Sequence, residues 1–168
     1  MITLVRFLRL LSLVLWIGGI AFFAFVVAPV AFGKLPSPHE AGLVVGGTLR
    51  ILHILGLACG ALFLALTLAL SARLAPRRTL IPETALILAM LAVTAYSQFH
   101  ILPAMEIDRQ QAGADINALD SANPSRLHFE ALHRLSEQIE GAVLFGGLAL
   151  LFLVAAEPTS AMKLESGR

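Results

Sequence analysis

Four stretches of this chain carry no Asp, Glu, Lys or Arg, and they decide what it can fold into. They cover residues 10–33, 51–72, 84–105 and 141–156, which are 24, 22, 22 and 16 residues long. A membrane-spanning helix needs roughly 20 apolar residues, so the first three suffice and the fourth does not. At ~1.5 Å per residue the fourth stretch reaches about 24 Å of a hydrocarbon layer about 30 Å thick. A helix there has to carry Glu140, with Glu137 close behind, to the membrane boundary or below it. Composition agrees, because a 168-residue chain that is 58% hydrophobic and 14% charged, with a mean hydropathy of +0.84, has more apolar surface than a soluble core can hide. The expected fold is an all-α integral membrane four-helix bundle forming one domain over residues 1–168, with helices near 2–32, 38–72, 80–105 and 125–156.

The charges orient it. One side of such a bundle holds Arg6, Arg9, Arg73, Arg77, Arg78, Lys163 and Arg168 against Glu83, Glu157 and Glu165. The other side holds Lys34, Arg50, Arg109, Arg126 and Arg134 against eight acids. The positive-inside rule then places both termini in the cytoplasm, of a bacterial inner membrane by expectation, and puts the loop between helices three and four outside. Arg6 and Arg9 precede an apolar run as in a signal peptide, but the run is too long for a signal core and is taken as a retained helix. A net charge of +1 gives no reason to expect nucleic acid. The bilayer is the expected partner, with a homo-oligomer or a membrane complex left open. Cys59 is the only cysteine, so no internal disulfide can form.

Local motifs sharpen the boundaries. Pro29 marks a kink or end of helix one, and Ser37, Pro38 and Glu40 read as a capping box that starts helix two. From Pro38 to Ala72 that helix would be about 50 Å long, more than a bilayer needs, so it should project outward or bend near Gly46 and Gly47. Pro103 closes helix three, and residues 106–125, rich in turn formers, read as an outer loop with one short helical piece. The prolines near the ends of helices one and three admit a duplicated two-helix unit. Gly42 with Gly46, and Gly56 with Gly60, are spaced to let helices approach closely. Trp16 and Tyr96 read as packing residues.

Counting from the inner helix ends at ~1.5 Å per residue, His53, His100, Glu137 and Glu140 all lie about 24–28 Å out, at one level from three helices. Glu130, His133, Glu137 and Glu140 fall at i, i+3, i+7 and i+10, one face of helix four. Such a stripe cannot comfortably face lipid and should point inward toward His53, His100 and Arg50, forming an outward-opening polar pocket. Three uses of that pocket compete. Charges pair there only to fix helix packing, as in a non-catalytic accessory subunit. Alternatively, histidine and carboxylate bind or conduct a transition-metal ion or a proton. Last, His53 and His100 face each other as haem ligands. Glu130 with His133 has the carboxylate-x-x-histidine spacing of di-iron bundles, which also require a second copy. No hydrolase triad order or phosphate-binding glycine loop is present, so enzymatic activity finds no support.

The residues Trp16, Gly18, Pro29, Phe32, Leu35, Pro36 and Gly42, together with Phe129, Leu132, His133 and Ser136, resemble the transmembrane-protein-205-like family, a domain of unknown function. The resemblance implies a four-helix membrane fold and an association with transport or tolerance of toxic metal compounds. It points to His133 and Ser136 as a functional pair. Where that family often has an asparagine about four residues after the serine, this chain has Glu140.

Overall fold

The structure, a computed structural model, describes residues 2–72, 80–113 and 115–156. Among them are no strands and four long helices: α1 (Ile2–Lys34), α2 (Pro38–Ser71), α3 (Leu80–Ala112) and α4 (Pro124–Ala155). All four are long and apolar enough to cross a bilayer. Their outward surface is apolar as well, with Phe7, Phe25, Ile51, Ile81, Phe145 and Phe152 exposed. A protein in water would bury such side chains, and this one is an integral membrane protein.

The helices run up and down in sequence order and close into a ring, each packing on its neighbours in the chain and α4 returning to α1. One end of the bundle holds the short connections, residues 35–37 and 113–123, and is called here the loop end. Residues 73–79 and 157–168 lie outside the described residues, and with them Arg73, Arg77, Arg78, Glu157, Lys163, Glu165 and Arg168, most of the charges on which the inner orientation rests.

Local chemistry explains each boundary. Ser37 is extended and its side chain accepts the Glu40 N–H at 3.2 Å, with Pro38 at the first helical position; this is the serine half of the expected capping box, and the Glu40 side chain does not return a bond to the Ser37 N–H. α2 then continues as uninterrupted α-helix through Gly46 and Gly47 to Ser71. α1 does not stop at Pro29. A single π-helical turn, Phe23–Val27, precedes the proline, and the Ala28 N–H reaches back to the Phe23 carbonyl. Proline supplies no N–H and its ring crowds the carbonyl four residues earlier, and the wider turn absorbs both. α3 repeats the device: Ser97–Ile101 is π-helical, the Leu102 N–H bonds to the Ser97 carbonyl, and Pro103 follows.

α3 also runs past the expected end near residue 105, to Ala112, where Gly113 caps it with φ of +75°. The polar residues taken for loop are helical because they find partners on that helix and on α4. The Gln110 amide donates to Glu106 at 3.3 Å, and His128 pairs with the buried Asp108 at 2.8 Å. The actual loop is shorter, with one 3-10 turn at Ile116–Ala118, before Asn123 caps α4 by accepting the Ser125 N–H.

The glycine pairs have a use different from backbone approach. The Trp16 indole lies across Gly56 and Gly60, and a Cβ at Gly60 would sit 2.6 Å from its ring. Gly42 and Gly46 instead face the Arg109 guanidinium. The core around Trp16 is closed by Leu13, Phe63, Ile87 and Leu150, all fully buried. Cys59 is a buried member of that core. Tyr96 is half exposed and stacks on His100, so of the two aromatic residues read as packing only Trp16 is in the core.

Candidate functional site

At the loop end all four helices contribute to a cavity of about 900 Å³. Its size falls within the roughly 300–1,000 Å³ typical of small-molecule sites. The α4 stripe lines it as the periodicity requires: His133 and Glu137 border it as exposed side chains, Glu130 as a partly exposed one and Glu140 as a largely buried one, joined by Ser136 from the same helix and Arg50 from α2. Apolar walls come from Ile20, Phe23 and Phe32 of α1, Leu43 of α2, Leu102 of α3 and Leu144 of α4.

The deepest polar contact is at Glu140. His53 is 2% exposed and bridges two helices, its Nε2 lying 2.5 Å from Glu140 Oε1 and its Nδ1 3.2 Å from Gln98 Oε1. An amide oxygen only accepts hydrogen bonds, so Nδ1 carries a hydrogen and donates it to Gln98. Nε2 then faces a carboxyl oxygen at hydrogen-bond distance, and one proton lies between them. Whether that proton sits on the ring or on the carboxyl, the pair is neutral as a whole: imidazolium with carboxylate, or imidazole with carboxylic acid. A neutral pair is what a buried site tolerates. Because Glu140 lines the cavity and His53 does not, the carboxyl is the partner that ligands and solvent reach.

The other sequence candidates are placed apart from this pair. His133 and Glu137 meet each other, Nε2 to Oε1 at 3.3 Å, near the cavity mouth where both are substantially exposed, and His133 stacks on Phe129 with centroids 6.1 Å apart. Glu130 accepts from Arg126 Nε at 3.0 Å. Ser136 is buried against the cavity. His100 is exposed and stacks on Tyr96 at 5.4 Å, so it is not brought to His53 and the facing-histidine arrangement for haem is absent among the described residues. Arg50 lines the cavity without the ion pair to Glu137 or Glu140 expected of it. Among the described residues no three His, Cys, Asp or Glu side chains are grouped to hold a metal ion.

Two positions at the candidate site, Gln98 and Arg109, are not singled out by the sequence reading. Gln98 sits in a charge-free stretch, and a lone amide at membrane depth was the available sign that a polar partner faces it. Arg109 was assigned to loop. It lies in the cavity wall with its guanidinium 4.9 Å from the Phe129 ring centre, donates to the Gly42 carbonyl at 3.4 Å and pairs with Glu106 at 3.6 Å. The bare backbone at Gly42 and Gly46 makes room for it.

The family described as Domain of unknown function (DUF4149) matches the chain over residues 11–114. This span contains the first group of residues in the resemblance noted above, Trp16 to Gly42, and ends before the second, Phe129 to Ser136. No curated protein and no solved structure matches the chain.

Proposed function

This chain belongs to the DUF4149 family, and we propose that it is a small membrane carrier whose loop-end cavity binds a solute and whose His53–Glu140 pair exchanges a proton with that cavity. In this reading the loop end faces outward and both termini are cytoplasmic, as the charge distribution suggests. The observation that carries the proposal is the 2.5 Å contact between a buried imidazole and a carboxyl that borders an open cavity. Imidazole is the side chain that trades a proton near neutral pH, and in membrane proteins buried histidine and carboxylate pairs mark proton relays. Between a proton and a metal ion, the two-group centres here favour the proton, because a transition metal asks for three or more donors from the protein. The association of transmembrane-protein-205-like proteins with transport is in line with a carrier.

One observation favours the structural alternative, an accessory subunit whose polar residues only lock helices: Gln98, His53 and Glu140 tie α3, α2 and α4 together. Proton flux separates the two. The purified chain, reconstituted in vesicles that trap a pH-sensitive dye, is expected to relax an imposed pH difference faster than empty vesicles do. His53→Gln and Glu140→Gln should return the rate to that of empty vesicles while keeping helical content. Wild-type rates in both folded variants, or no flux through the wild type, would leave the locking role as the better account.

A further inference from the structure

Seven of the eight ionisable side chains that line the cavity are already answered by a partner in the chain. His39 lies 3.9 Å from Asp115, Arg109 pairs with Glu106 at 3.6 Å, Glu130 with Arg126 at 3.0 Å, His133 with Glu137 at 3.3 Å and Glu140 with His53 at 2.5 Å. The eighth, Arg50, has no ion pair or hydrogen bond among the described residues. It comes from α2 one turn from His53, is exposed, and lines the cavity together with the apolar Ile20, Phe23, Leu43, Leu102 and Leu144. An exposed guanidinium with open donors at the edge of a mostly apolar cavity suits one planar or tetrahedral anion, and the apolar walls suit a hydrocarbon body attached to it.

From this we infer that the cavity takes an amphiphile with a single anionic head, a carboxylate or a phosphate, held by Arg50, with its apolar part along α1 and α4. The inference rests on the proposed use of the cavity as a solute site and adds the chemical class of the solute. Arg50 is a binding residue in it, and His53 and Glu140 are not contacts of the head.

The test uses the full chain purified in a non-ionic detergent and dodecanoate carrying a diazirine near its methyl end. On illumination the label is expected on peptides holding Phe23, Phe32 and Leu144, and excess plain dodecanoate should displace it. Arg50→Gln should lower labelling by about tenfold, the loss expected for a charge-assisted contact, whereas Lys34→Gln, an exposed cation outside the cavity, should leave it unchanged. Should Arg50→Gln not fold, the comparison moves to the wild type, where dodecanol and dodecylammonium should compete far less well than dodecanoate. Equal labelling of a folded Arg50→Gln chain, or equal competition by dodecanol, overturns the anion. Equal competition by acetate or inorganic phosphate overturns the amphiphile and leaves a free anion as the ligand. The two proposals fail separately: labelling that stays intact while His53→Gln leaves proton flux unaltered removes only the proton role, and lost flux in His53→Gln with no Arg50-dependent labelling removes only the anionic amphiphile.

Discussion

Arg9 of α1 and Glu83 of α3 form an ion pair at the end of the bundle opposite the cavity, with side chains only 1% and 0% exposed. The guanidinium also lies 5.0 Å from the centre of the Phe63 ring on α2, so one cation ties three helices together. Taking one partner from a buried pair strands the other charge in a medium that solvates it poorly. Glu83→Ala should therefore cost about 3–5 kcal/mol, while Arg9→Met with Glu83→Leu should recover most of that loss. Thermal unfolding of the three chains in detergent checks the order.

The two glycine pairs have the same spacing and should respond differently. A methyl at Gly56 would overlap the Trp16 indole, whereas one at Gly42 would meet Arg109 at an ordinary 3.5 Å. Gly56→Ala is expected to cost about 1–3 kcal/mol, as overpacking does, and Gly42→Ala well under that. Trp16 is the only tryptophan, so its emission reports the displacement directly. A red shift in Gly56→Ala and none in Gly42→Ala is the expected result.

The extra turns of α3 depend on α4. Asp108 is buried and accepts from His128, itself more than half exposed, at 2.8 Å. His128→Ala leaves that carboxylate without its imidazole, at a cost of about 1–3 kcal/mol. Hydrogen exchange over residues 102–112 should accelerate while the membrane-embedded part of α3 stays protected.

These cases also mark what could be read from the chain before its structure was known. The charge-free stretches fix the number of helices, because nothing but a helix satisfies its own backbone in lipid. Glu140 borders the cavity and contacts His53, and Glu130, His133, Glu137 and Glu140, spaced for one helical face, all line it. The order of residues along a helix is legible from sequence, but rotation about its axis is not. His53 is buried against Gln98 and Glu140 while His100 is exposed, and Gln98 and His100 both lie within the π-helical turn Ser97–Ile101, where counting at a constant 3.6 residues per turn loses its phase. Residues 106–112 read as loop by their polarity alone, and they are helical because that polarity is satisfied within α3 and against α4. A partner such as Glu83 for Arg9 lies 74 residues away and leaves no local trace.

The central claim is that His53 and Glu140 hold one exchangeable proton at the base of the cavity. Infrared difference spectra of the purified chain between acidic and alkaline buffer observe that proton most directly. The account predicts a carboxyl and imidazole signal in the wild type that disappears in both Glu140→Gln and His53→Gln, with each variant folded. A wild-type signal that survives unchanged in both would contradict it.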